Sequence, residues 1–168
     1  MECKIRSWLV EDAEDLAKAL NNKSIHNNLR DGLPFPYTVK DATAFIQEMH
    51  SADPEKAYAF AITYQERVIG SIGIFRKENI HSRTAEIGYY ISEEFWGKGL
   101  GTSALKQACK YVFDNTDMIR IFADPFARNI ASCRILEKSG FLYEGTLYAN
   151  AFKNGKVEDM IMYALIKS

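Results

Sequence analysis

The stretch Glu93–Leu105, EEFWGKGLGTSAL, sets Gly97, Gly99 and Gly101 at alternate positions just ahead of a helical pattern. Glycine inside regular structure costs about 0.5–1 kcal/mol relative to alanine, so three within five residues need a reason. A helix N-terminus offers unpaired backbone N–H groups and about half a positive charge. Phosphate binds well there when no side chain blocks the approach. Glycines at every second position clear that approach, Lys98 adds a positive charge, and Thr102 and Ser103 add hydroxyl donors. The spacing predicts a pyrophosphate cradle. The competing reading is a turn needing only glycine's backbone freedom, for which one glycine would usually suffice. Two familiar cradles do not match: Lys98 is followed by Gly99 where a Walker loop has Ser or Thr, and the G-x-G-x-G spacing follows a run of strands instead of opening a dinucleotide-binding βαβ unit.

The second candidate is Glu86 in AEIGYY. Strand alternation puts Glu86 and Tyr90 on one face with Gly88 between them, and Ala85, Ile87, Tyr89 and Ile91 on the other. A carboxylate on a central strand is costly to bury unless it is paired or functional; the plain alternative is a solvent-facing glutamate. Gly88 is consistent with a bulge. Cys3, Cys109 and Cys133 form no close pair, and His26, His50 and His81 are scattered, so neither a metal site nor a disulfide framework is expected. Small buried thiols are the expectation for Cys109 and Cys133, and a Cys–His nucleophilic site is disfavoured.

These residues need elements to hold them. Cys3–Leu9 reads as a first strand, and Glu11–Asn21 as a helix with Ala13, Leu16, Ala17 and Leu20 on one side. DGLPFPYTV (Asp31–Val39) breaks the chain, since two prolines restrict their own and the preceding residues. Thr38 and Asp41 have the spacing of a cap opening a helix to about Met49. Tyr58–Tyr64 and Val68–Arg76 predict a hairpin, and Thr84–Ser92 a third strand. After the glycines, Leu105, Ala108, Cys109, Val112 and Phe113 mark an amphipathic helix. Arg120–Pro125 predicts a short strand, Asn129–Gly140 a helix with Asn129 near its start and Gly140 at its end, and the C-terminal region two strands turned by KNGK (Lys153–Lys156). The order β-α-α-β-β-β-α-β-α-β-β implies an α/β (α+β) mixed sheet covered by helices.

The 168 residues fit a single domain, 1–168, with no repeat or linker. A net charge of −1 gives no basic field for nucleic acid, no apolar run approaches the roughly 20 residues of a membrane span, and no secretory leader opens the chain, so a cytoplasmic protein is expected.

WGKGLGTSAL resembles the acetyl-CoA signature of the GNAT acetyltransferase superfamily, [QR]-x-x-G-x-[GA]. RDGLPFPYT, AEIGYYISEEFWGKGLGTSAL, ARNIASCRILEKSGF and YEGTLYANAFKNGKVEDMIMYAL are similar, in that order, to segments of its RimJ/RimL-like branch. Trp96 stands where many members have Gln or Arg, a departure common in that branch. The resemblance implies the GNAT fold: a mixed, mostly antiparallel sheet of about seven strands, splayed after the fourth, with four flanking helices. It implies direct attack of a primary amine on acetyl-CoA, with no metal. Glu86 is similar to the glutamate that takes the amine's proton. At the position of the widespread tyrosine acid stands Leu136, and the branch instead uses the serine that is Ser132 here, to protonate the thiolate or only to hydrogen-bond it. The cofactor residues implied are Tyr89, Tyr90, Ile91, Trp96, Gly97, Lys98, Gly99, Leu100, Gly101, Thr102, Asn129 and Ser132, with a backbone N–H of Tyr89–Ile91 polarising the carbonyl. Phe35, Tyr37, Tyr148 and Phe152 are the acceptor-site candidates, although aromatics are more often core.

The acceptor expected is a protein N-terminal α-amine. Alternatives are a small-molecule amine of polyamine or aminoglycoside type, a non-catalytic coenzyme A module, and a nucleotide-binding regulator using the same glycine loop. A monomer or homodimer is expected.

Overall fold

The computed structural model describes residues 1–168. Strands β1 (Lys4–Arg6), β2 (Ala57–Tyr64), β3 (Arg67–Arg76), β4 (Thr84–Ile91), β5 (Arg120–Ala123), β6 (Leu142–Lys153) and β7 (Lys156–Ile166) form one sheet in the order β1-β2-β3-β4-β5-β7-β6. Helices are α1 (Ala13–Leu20), α2 (Lys23–His26), α3 (Val39–Ser51), α4 (Leu100–Asn115) and α5 (Ile130–Lys138). Every strand pairing is antiparallel except β4 with β5, which is parallel. No helix is long and apolar enough to cross a membrane.

Strand alternation sorts side chains to two layers. Ile62 and Ile69 point to one face, where Ile72, Ile74, Ile87 and Ile121 meet Leu105, Ala108 and Val112 of α4. Their neighbours Ala61 and Val68 point to the other face, against Leu16 and Leu20 of α1 and Ile46 of α3. Leu105, Val112, Ile72 and Ile74 are fully buried, each contributing roughly 1.5–3 kcal/mol of transfer free energy. Cys3, Cys109 and Cys133 are buried and unbridged.

Local chemistry fixes the boundaries. The Thr38–Asp41 capping box opens α3, with each side chain accepting from the other's backbone N–H. Asn154 and Gly155 have φ of 52° and 77° between the paired Lys153 and Lys156, the geometry of a two-residue turn matched to strand twist. Gln65 and Glu66 turn the β2–β3 hairpin the same way, with φ of 50° and 64°.

Three expectations need correction. The first strand ends at Arg6, short of Leu9. Arg6 forms a bidentate pair with Asp12 at 2.7 and 2.8 Å, and the Leu9 N–H donates to the same carboxylate at 2.8 Å. That knot pulls Trp8 into the second core layer and begins the helical region with a 3-10 turn, Val10–Asp12. Helix α2 is new: it has four residues, too few to show periodicity, and is capped by Asn22 Oδ1 accepting from Ile25 N–H at 3.0 Å. Gly88 is no bulge, because β3 and β4 pair in unbroken register with Gly73 opposite Gly88.

The break that matters lies between β4 and β5. Their parallel ladder runs only from Thr84–Arg120 to Glu86–Phe122, while β4 continues to Ile91 and β5 stops at Ala123 before Pro125. Beyond Glu86 the two strands separate.

Candidate active site

The separation opens a cleft of about 910 Å³ between the two halves of the sheet. One wall is the second half of β4. Ser92 N–H donates to Ile69 O on β3, so by antiparallel alternation the backbone groups of Tyr89 and Ile91 point away from β3, into the gap that β5 has left. The Ile91 carbonyl is claimed by the Trp96 indole N–H at 2.7 Å. Trp96 thus ties the loop ahead of α4 to the end of β4, a role its aromatic type alone does not reveal.

The next wall is the glycine loop and the first turn of α4. Gly97 and Gly99 have φ of 73° and 77°, and a Cβ on either would meet no atom within 4 Å. Gly99 is the N-cap residue, and no side chain caps the helix. The first-turn N–H groups therefore face the cleft bare, beside Lys98, which fits an anionic diphosphate. Gly101 differs. It is buried, and a Cβ there would stand 3.0 Å from Ile135 Cδ1 and 3.6 Å from Ile91 Cδ1, so its lack of a side chain also lets α4 sit close to α5 and β4. Ser103 does not face the cleft: its hydroxyl accepts from Cys3 N–H at 3.3 Å and from Gln107 at 3.1 Å.

Helix α5 forms the third wall. Asn129 Oδ1 caps it by accepting from Ser132 N–H at 3.3 Å. Ser132 Oγ lies 2.6 Å from the Tyr89 hydroxyl, which is also 3.3 Å from the Ser132 carbonyl oxygen. Burial raises the Tyr89 phenol to about 12, with the Ser132 bond working the other way. Either hydroxyl can donate in this bond; with Tyr89 as donor the serine hydrogen is free to turn into the cleft. Leu136, at the position of the family's usual tyrosine, is core. Arg134 and Lys138 add positive charge along this wall; they are exposed helix residues, and only the docking of α5 reveals them.

At the root of the cleft, where the ladder ends, stands Glu86. Its carboxylate pairs with the guanidinium of Arg30, which also reaches Asp124 Oδ1 at 3.1 Å. The Asp124 carboxyl is raised from its ordinary value, chiefly by burial, with Arg30 opposing and the neighbouring Glu86 reinforcing the shift. Neither Arg30 nor Asp124 was among the candidate residues. Asp124 was legible only as the residue before Pro125, and Arg30 arrives from 56 residues away in sequence. No group of acidic, His or Cys side chains that could hold a metal is present.

The proposed coenzyme residues, Tyr89 to Ile91, Trp96 to Thr102, Asn129 and Ser132, line this one cleft together with Glu86. Tyr90 lines it only in part: its ring packs on the second core layer, and burial pushes its phenol well above the ordinary range. Of the four acceptor-site aromatics, Phe152 lines the cleft. The other three are not brought to it. Tyr37 is buried in the α1–α3 core layer, Phe35 stands edge-on to His26 with Lys23 over its ring, and Tyr148 is exposed on β6.

Residues 3–142 match the family model described as "Acetyltransferase (GNAT) domain". The uncharacterized N-acetyltransferase YoaA of Bacillus subtilis (strain 168) is 30% identical over 166 residues, 97% of this chain and 92% of the relative. The ribosomal-protein-serine acetyltransferase of Escherichia coli (strain K12) is 30% identical over 114 residues, 67% of this chain and 63% of that one. Among solved structures, spermidine N-acetyltransferase from Vibrio cholerae in complex with CoA and spermine superposes with a TM-score of 0.81 at 22% identity, covering 98% of this chain and 95% of that chain.

Proposed function

Because the chain belongs to the GNAT acetyltransferase family, we propose that it is an acetyl-CoA-dependent N-acetyltransferase of RimJ/RimL-like type that acetylates a protein N-terminal α-amine by direct attack within this cleft. The observation that carries the reading is the early parting of β4 from β5 at Glu86–Phe122. It leaves a carboxylate, unshared strand backbone and an uncapped helix start around one cavity.

Each requirement of the reaction has a residue suited to it. The Gly97–Thr102 backbone and Lys98 hold the diphosphate, where the two left-handed glycines leave room for it. When bound, acetyl-CoA supplies an activated thioester carbonyl. The backbone N–H groups of Tyr89 and Ile91, free of β3, would stabilise the charge that its oxygen gains, the kind of stabilisation that is often the largest catalytic contribution. Glu86 removes the proton of the amine, directly or through water. Ser132, beside Tyr89 at 2.6 Å, donates a hydrogen bond that stabilises the charge on the departing sulfur, and the thiolate takes its proton from solvent. A general-base step such as that of Glu86 contributes roughly 10²–10⁴-fold in rate.

A second reading is favoured by one observation: Glu86 and Asp124 put two carboxylates at the root of the cleft, which suits a polycationic small-molecule amine. A thiol-release assay with acetyl-CoA separates the two readings, using N-terminal peptides, polyamines and aminoglycosides as acceptors. Turnover on peptides is expected, and Glu86→Gln should lower kcat about 100-fold at neutral pH while coenzyme A affinity persists. Turnover confined to polyamines would transfer the assignment to the second reading. Equal turnover by wild type and Glu86→Gln would remove Glu86 from the base role.

A further inference from the structure

Resting on the acetyltransferase reading, we propose that Arg30 is a chain-borne occupant of the acceptor-amine position, a cation that an incoming primary ammonium must displace. The strap Asn27–Asp31 crosses the cleft and is fastened on the far side. Arg128 donates to Asn27 O at 2.7 Å and to Asn28 Oδ1 at 2.6 Å, Asn154 donates to Asn27 Oδ1 at 3.1 Å, and Lys153 holds Asp31 at 2.8 Å. None of these bonds involves the Arg30 side chain.

From this strap the guanidinium reaches down onto Glu86 and Asp124. The Arg30 side chain is 67% exposed, against 26% for Glu86 and 17% for Asp124. The carboxylates belong to the wall, and the cation comes from the solvent side. A guanidinium keeps its charge in proteins, so it balances the two acids without reacting. An amine nitrogen that is to lose its proton to Glu86 needs the same carboxylate oxygens. With Arg30 seated the trio carries one net negative charge; with Arg30 displaced, two, which suits a cationic amine. Arg30 thereby selects for ammonium groups able to compete with a guanidinium, and lowers apparent affinity by the fraction of molecules whose site is closed.

The experiment compares wild type with Arg30→Ala, Arg30→Gln and Arg30→Lys in steady-state acetylation of one amine acceptor, with methylguanidinium added as a competitor. Removal of the charge is expected to lower the acceptor KM about fivefold with kcat changed little, in both Arg30→Ala and Arg30→Gln, while Arg30→Lys stays near wild type. Methylguanidinium should inhibit Arg30→Ala more strongly than wild type, competitively with the amine, because it refills the vacated position. An acceptor KM that is unchanged or higher in the neutral variants would overturn the proposal while leaving the transferase reading intact. Absence of acetyl transfer from wild type and variants alike would overturn the transferase reading and this proposal with it.

Discussion

Gly99 caps α4 and Gly101 lies in its first turn, and alanine should act on the two differently. Gly99 has φ of 77° and open space where a Cβ would project. Alanine there meets no clash and carries only the left-handed penalty, roughly 1–2 kcal/mol, which for a chain of this size lowers Tm by about 2–8 °C. Its larger effect falls on the ligand, because the new methyl group stands where the backbone must lie bare. Coenzyme A affinity is expected to drop roughly tenfold or more, equivalent to about 1.4 kcal/mol. Gly101 has ordinary helical backbone, so alanine gains about 1 kcal/mol in helix propensity. Against that gain, its Cβ would press to 3.0 Å on Ile135 Cδ1. Overpacking costs about 1–3 kcal/mol, and the lower end applies because the contact is the tip of a side chain that can rotate. The two effects should cancel to within about 1 kcal/mol, with a smaller loss of affinity than at Gly99. Thermal melts of both variants, with calorimetric titration of coenzyme A, measure the four quantities. A Gly99→Ala protein that melts lower but binds coenzyme A like wild type would refute the reasoning: the glycine would then serve the turn alone.

Ser132→Ala should lower kcat about tenfold or more and Tyr89→Phe by less, since the tyrosine acts through the serine; equal rates in both variants and wild type would remove the pair from the reaction. Burial keeps the Tyr89 phenol protonated up to about 12, so the kcat–pH profile should show no descending limb from it below about pH 10, and a limb there that disappears in Tyr89→Phe would contradict the assignment. Asp12→Asn should cost about 1–3 kcal/mol in urea unfolding at pH 7, because it removes the charge facing Arg6 and turns one of the two nearly buried oxygens that serve Arg6 and the Leu9 N–H into a donor. Although burial pushes Asp12 upward, Arg6 and the Leu9 N–H outweigh it and hold the carboxyl below its usual value. Its contribution is therefore present above the unfolded pKa and lost as pH falls through the folded one, so the gap between wild type and variant should close as pH falls below the ordinary carboxylate range.

The sequence by itself determined the longer elements and their order, though not the four-residue α2, because the signals are local. Helical spacing in α4, alternation in β2 to β4, the Thr38–Asp41 box and the Asn154–Gly155 turn each follow from a few neighbouring residues. It also marked Glu86, Asn129 and the glycine loop, through a carboxylate on an inner strand, a cap position and a costly run of glycines, while Ser132 was implied only by resemblance. Where the sheet parts was implied only by resemblance. Tertiary structure decided what lies across it, since those contacts join residues far apart in the chain. Arg30 meets Glu86 and Asp124 over separations of 56 and 94 residues, and Tyr89 meets Ser132 over 43. No local propensity encodes such meetings. They depend on strand register and helix docking, which also sent Tyr37 to the core, left Tyr148 in solvent, and put Gly101 under Ile135.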